Sequence, residues 1–279
     1  RGTERYADLS LVLQRKAGIL EDAQEKKAAL FQAAAIEEDM LERPEAAIAV
    51  YLKVLDIDPD DIQAVDALIK RYLGLSRWED LLAVYAKKVD LVSDPEEKKL
   101  IFYQMGAVYD RELGDIARAI DTYQRVLELD PDDLQALGRL DVLYQAALNW
   151  QDLLSVLQHE AELAMDPAES ISYQYRIAEL YEKHLNDIQR SIELYRDILT
   201  QQQDHAPTLE ALERLKNGQA DPLAAASVLE PFYDASGEWQ KLISVLEVQV
   251  RFQDDPFQQV ELLHRIAALY EDNLQNHHA

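Results

Sequence analysis

The sequence overlays on itself at an offset of 72, which brings Trp78 onto Trp150, Tyr51 onto Tyr123 and Tyr195, and Tyr109 onto Tyr181. The same offset lays Asp58-Pro59-Asp60-Asp61 on Asp130-Pro131-Asp132-Asp133. Self-similarity at a long fixed period, without low complexity, marks a unit that cannot bury its own apolar face and must stack on its neighbours. One elongated domain over residues 1–279 is therefore expected, although the length alone would suggest two globular ones. Such a stack offers partners a long surface and offers chemistry no dedicated pocket.

The units run over about 6–77, 78–149, 150–238 and, in part, 239–279. In the second unit the pattern predicts four helices, over Arg77 to Val92, Pro95 to Leu113, Asp115 to Leu129 and Asp132 to Ala147. Ile101, Met105, Val108 and Tyr109 recur at helical spacing, as the core-facing stripe of a helix requires. With only 8 Gly and 9 Pro to interrupt it, the chain should be all-α, with about 15 antiparallel helices and no strands. Asp94-Pro95, Asp166-Pro167 and Asp255-Pro256 fall in one column, with Asp22-Ala23 in the first unit. There Asp can cap the free backbone donors while Pro suits the first helical position. Asp58 and Asp130, each followed by Pro, are expected to cap in the same way.

The third unit breaks step, because Trp239 follows Trp150 at a spacing of 89, which is 17 beyond the period. The surplus falls at about 215–231, where Asn217-Gly218 should end a helix and Asp221-Pro222 start an extra short one, bent further by Pro231. Both chain ends cut through helix pairs and the first residue is Arg and not Met, so a window from a longer array is expected.

Phe102-x2-Met105-Gly106-x2-Tyr109, then Ala119-x3-Tyr123 and Pro131, resembles the tetratricopeptide pattern W-x2-L-G-x2-Y…A-x3-F…P. The first unit has Leu30, Ala33, Ala34, Ala47, Tyr51 and Pro59, but Glu37 in place of the Tyr. The third has Ile177, Ala178, Tyr181, Ser191 and Tyr195, with Gln174 and Gln203 departing. The second pair in each unit, such as Leu137, Leu140 and Tyr144 followed by Trp150, Leu153, Leu154 and Leu157, is further from consensus. The resemblance covers nearly the whole chain and is similar to the repeat segment of a large bacterial tetratricopeptide protein. It implies a right-handed superhelical solenoid with a 72-residue double repeat, which binds peptides or proteins on its concave side.

In this family the first helix of each pair lines the groove, so three columns on it become candidates. The first holds Phe31, Tyr103, Tyr175 and His264, and the second Ala35, Ala107, Glu179 and Ala268. The third holds Glu38, Asp110, Glu182 and Glu271. Spacing of i, i+4 and i+7 puts them on one stripe. The acids lie near helix C-termini, where the dipole disfavours negative charge, so propensity does not explain them. Either they pair with Arg or Lys of an adjacent helix, such as Arg71 or Arg139, or they hold a basic partner alongside the aromatics. The Lys and Asn columns of the tetratricopeptide subclass that clamps a carboxylate terminus are not found here. Trp78, Trp150 and Trp239 are expected to be core anchors between repeats.

Against 28 Lys and Arg stand 53 Asp and Glu, a net charge of −25 that repels nucleic acid and anionic lipid and favours a basic protein or peptide partner. No apolar run is long enough to insert in a membrane, and Cys is absent, which leaves the compartment open. His159-Glu160 begins an H-E-x-x-H string, but Leu163 stands where its second His is needed. Asp56, Asp58 and Asp60 mimic the start of a calcium loop, but Asp61 and Ala67 stand where Gly and Glu are required. No enzyme, cofactor or metal site is expected. His277 and His278 keep register with Ile188 and Gln189, which reads as native sequence. The function expected is a noncatalytic scaffold that recruits a protein or peptide. Its rivals are a structural spacer, or the recruitment segment of an enzyme whose catalytic domain lies elsewhere. Self-association through the end helices stays open.

Overall fold

The computed structural model describes residues 2–273, which leaves His277 and His278 outside. The described residues form fifteen α-helices and two π-helical turns, with no strand among them. They divide into two compact units, residues 1–139 and 140–279. The first holds α1 (Gly2–Ile19), α2 (Ala23–Ala35), α3 (Pro44–Ile57), α4 (Ile62–Gly74), α5 (Trp78–Leu91), α6 (Pro95–Ala107) and α7 (Ile116–Leu129). The π-helical turns Ile36–Met40 and Val108–Glu112 extend α2 and α6. Helix α8 (Leu134–Ala146) begins in the first unit and ends in the second. The second unit continues with α9 (Trp150–Leu163), α10 (Pro167–Lys183), α11 (Ile188–Gln201) and α12 (Ala206–Lys216), then α13 (Pro222–Ser236), α14 (Trp239–Phe252) and α15 (Pro256–Asp272).

From α1 to α7 each helix packs on the next, and so do α9 to α15. Each unit has its own core. Leu68 and Leu81 are fully buried in the first, as are Leu212, Leu229 and Leu242 in the second. Each such side chain contributes about 1.5–3 kcal/mol. Trp78 and Trp239 differ from the expectation: they are half-buried and pack on the edges of these cores, while the Leu three positions on reaches the centre.

The period of the sequence is also written into the backbone. Ser76 (φ 54°), Leu148 (φ 56°) and Gly237 (φ 70°) share one column of left-handed residues, and Glu42 (φ 51°), Gly114 (φ 63°) and Asn186 (φ 55°) share another. In the first column the amides of Arg77, Asn149 and Glu238 donate to the carbonyls of Tyr72, Tyr144 and Tyr233, and those of Ser76, Leu148 and Gly237 to Leu73, Gln145 and Asp234. This is the Schellman closure, which satisfies the orphan carbonyls of a helix end and favours glycine at the left-handed position.

Asp22, Asp94, Asp166 and Asp255 cap α2, α6, α10 and α15 as expected, and Pro is the first helical residue in the last three. The expectation for Asp58 and Asp130 is corrected. These residues end the preceding helices α3 and α7, and Asp61 and Asp133 do the capping by accepting from the amides of Ala64 (2.9 Å) and Ala136 (3.0 Å). The cause is a turn that must close first, with the Asp61 amide donating to the Asp58 carbonyl at 3.2 Å and Asp133 repeating this on Asp130 at 3.3 Å.

Between α11 and Trp239 stand two helices, α12 and α13, where the preceding repeat has only α8 between α7 and Trp150. Asn217 ends α12, and Asp221 caps α13 by accepting from the Ala224 amide, with Pro222 at its first turn. At 15 residues α13 is as long as its neighbours and not the short helix expected, and it runs on through Pro231. It touches α11 as well as α12 and α14.

Candidate partner-binding face

The aromatic column of the first unit sits half-buried between helices. Phe31 on α2 packs on Tyr51 of α3 with ring centroids 6.1 Å apart, and Tyr103 on α6 on Tyr123 of α7 at 6.0 Å. Burial first, then the nearby Glu38 charge, pushes the Tyr51 hydroxyl up to about 12. The Tyr103 hydroxyl donates to the carboxylate of Asp133. Burial and then this bond push Tyr103 well above the ordinary phenol range.

Beside Tyr103, the ammonium of Lys99 meets Asp130 at 2.7 Å and Asp133 at 2.9 Å, and one unit earlier Lys27 meets Asp58 at 2.6 Å and Asp61 at 2.8 Å. These lysines rivet α2 to the start of α4 and α6 to the start of α8. Their side chains are only 12% exposed, which is low for lysine. The Asp130 bond is the largest cause holding the Lys99 ammonium charged, and Asp58 plays that part for Lys27. Burial pulls Asp133 upward, but the Tyr103 hydroxyl and Lys99 outweigh it and keep the carboxyl below its ordinary value. The Asp oxygens of the calcium-like strings are thus occupied by a cation of the chain itself. Sequence reasoning missed the rivet, although its signal was present: Lys27 and Lys99 stand one full period apart, each at the same spacing before the first Asp of its motif.

The third copy lacks the rivet, with Ile171, Gln202 and His205 in the places of Lys99, Asp130 and Asp133. Tyr175 on α10 packs instead on Tyr195 at 5.8 Å and edge-on to His205 at 5.6 Å, while His205 Nδ1 lies 2.8 Å from the Thr208 hydroxyl. Burial holds the His205 ring below its ordinary value.

The acidic column is largely engaged. Glu38 pairs with Arg71 of α4, as an ion pair without hydrogen-bond alignment. Glu182 takes Arg214 of α12 on both oxygens, at 2.8 and 3.0 Å, and accepts from the Tyr195 hydroxyl at 2.9 Å. Glu179 pairs with Lys183. Asp110 is half-buried and acts with Arg139 and Arg111 on the field at Tyr123. His264 and Glu271 on α15 are exposed. The structure therefore brings Phe31 and Glu38 into contacts within the first unit, Tyr175 and Glu182 within the second, and leaves His264 and Glu271 at the surface.

One buried acid lies off this face. Glu160 on α9 is 5% exposed, and its Oε2 has no hydrogen-bond partner. Arg176 gives both arms to Asp141, at 2.8 and 2.6 Å. Burial first, and then the Asp141 charge, raise Glu160 to about 7 against the pull of Arg176. Its neighbour His159 has no second His four positions on, and no cluster of three or more metal-ligating side chains exists among the described residues. No helix there is long and apolar enough to cross a membrane.

Family models of the tetratricopeptide repeat match residues 40–61, 101–133 and 172–205. Among curated proteins, the photosystem I assembly protein Ycf3 of Acaryochloris marina (strain MBIC 11017) is 32% identical over 95 residues, covering 32% of this chain and 57% of that protein. The chain thus spans little more than half the length of this relative. Among solved structures, YrrB, described as a TPR protein with an unusual peptide-binding site, is 20% identical over 66% of this chain and 91% of its own, with a TM-score of 0.36. The TPR domain of P58(IPK) is 16% identical over 99% of this chain and 80% of its own, with a TM-score of 0.35.

Proposed function

Because the chain belongs to the tetratricopeptide repeat family, a family of protein-interaction scaffolds, we propose that it is a noncatalytic scaffold recruiting a basic, partly apolar protein or peptide along α2, α6 and α10. The observation that carries this reading is the recurrence, in register on three helices, of an aromatic at Phe31, Tyr103 and Tyr175 and a carboxylate at Glu38, Asp110 and Glu182. The net charge of −25 adds long-range attraction for a basic partner. A relative named as an assembly protein is consistent with a role in bringing other proteins together.

The internal ion pairs favour a second reading. Glu38 with Arg71 and Glu182 with Arg214 already use two of the column's charges, as a rigid spacer would require. In the recruitment reading those pairs hold the face in shape, and Asp110 and Glu179 carry more of the attraction. A peptide array spanning basic, neutral and acidic sequences distinguishes the two, probed with the native chain and with an Asp110→Lys/Glu179→Lys variant. Recruitment predicts enrichment of Lys- and Arg-containing peptides with apolar residues, weakened at least tenfold in the variant and by added salt. The absence of any charge preference, or identical binding by the variant, would favour the spacer.

A further inference from the structure

Helix α1 carries one half of a helix-helix interface whose complete form lies between α4 and α5. One period apart, Arg5, Tyr6, Leu9, Val12 and Lys16 of α1 fall on Arg77, Trp78, Leu81, Val84 and Lys88 of α5. In α5 this face is covered: Leu81 is 0% and Val84 9% exposed, and Val65, Leu68 and Tyr72 of α4 are buried in the same core. In α14 the matching Leu242 and Val245 are both 0% exposed. On α1 the same positions are bare, with Leu9 46% and Val12 57% exposed.

The polar contacts around the complete interface say what is missing. Lys88 of α5 meets Asp66 of α4 at 2.8 Å, and the Arg77 guanidinium lies over the Tyr72 ring at 4.9 Å. Lys16 and Arg5 stand in those two places on α1 and are exposed. Below them, Val12, Arg15, Lys16, Ile19 and Leu20 line a shallow depression on the helix. The other side of α1 is already committed, since Ser10 is buried and donates to Glu37 at 2.6 Å.

We propose that α1 docks an amphipathic helix of a partner that carries the chemistry of α4. That helix has apolar side chains at the positions of Val65 and Leu68, an aromatic at that of Tyr72, and a carboxylate at that of Asp66 to meet Lys16. The apolar stripe supplies most of the attraction, while the carboxylate and the ring beneath Arg5 set register and direction. This site lies on a different helix from the acidic column and does not depend on it.

A side-chain-stapled peptide of residues 59–76, added to the whole chain, is the probe, because an unstapled helix of this length is marginal in water. Calorimetric titration should show saturable one-to-one binding that Val12→Asp weakens at least tenfold. Lys16→Glu should weaken it several-fold, and a peptide with Asp66→Lys should restore the affinity of that variant. Val12 is exposed, so circular dichroism should show an intact fold, and the charge swap tests the site even if it does not. No saturable binding, equal binding by Val12→Asp, or failure of the charge swap overturns the proposal. So does concentration-dependent dimerisation that Val12→Asp abolishes and the peptide does not compete, which would give the face to a second copy.

Discussion

Replacing Glu160 by Gln should stabilise the second unit, and by an amount that depends on pH. The carboxyl is almost fully enclosed, its Oε2 has no partner, and the arms of Arg176 are spent on Asp141. Folding therefore raises it from the ordinary 4.5 to about 7, mainly through burial. A rise of this size corresponds to about 3 kcal/mol at pH values above the folded value. Because the raised group is an acid, the folded state holds the proton more tightly than the unfolded state does. Stability is thus highest below pH 4.5, falls as pH rises towards about 7, and levels off above it. Gln keeps the shape and removes the charge, so the variant should gain about 1–3 kcal/mol at pH 8 once the lost attraction to Arg176 and the desolvated amide are allowed for. At pH 4 it should gain nothing. Urea unfolding followed by circular dichroism, on both proteins between pH 4 and pH 8.5, gives the difference curve and cancels the other titrating groups. A difference that is flat with pH, or larger at pH 4 than at pH 8, would refute the reasoning.

Three further perturbations follow from the packing. Lys99→Met should lower the melting temperature by removing the rivet to Asp130 and Asp133. Since Asp133 is held below its ordinary 3.8, the deficit should be full above about pH 4 and shrink as pH falls further, which scanning calorimetry at pH 2.5–6 can follow. Gly106→Ala would place a Cβ 2.6 Å from Cζ of Tyr123, so despite better helix propensity it should cost about 1–2 kcal/mol in denaturant unfolding. Leu148 sits exposed at φ 56° in the column where Gly237 stands one copy later, and Leu148→Gly should gain about 0.5–1 kcal/mol in the same assay.

The sequence was most informative where periodicity is strict. The all-α fold, the Asp caps at 22, 94, 166 and 255, and the ending of α12 at Asn217 were each legible from local chemistry and the offset alone. The caps at Asp61 and Asp133 were misplaced by one turn, because Asp58-Pro59 and Asp130-Pro131 look like cap and first turn until the closing turn is seen. The lysine rivets were hidden for another reason: Lys27 and Lys99 look like surface lysines, and only the fold brings the later Asp pairs to them. The acids at 38 and 182 were visible as a column, but their partners Arg71 and Arg214 do not keep register, the spacing from acid to Arg differing by one position between the two copies. The exposed face of α1 was also invisible, because its residues match those of buried helices and only accessibility separates them.

The most direct test of the recruitment reading is a hydrogen-exchange footprint of the tightest basic peptide from the array bound to the native chain. The reading predicts slowed exchange along α2, α6 and α10, centred on Phe31 to Glu38, Tyr103 to Asp110 and Tyr175 to Glu182, with α3, α7 and α11 unchanged. Protection confined to α3, α7 and α11, or none on any of the three candidate helices, would contradict it.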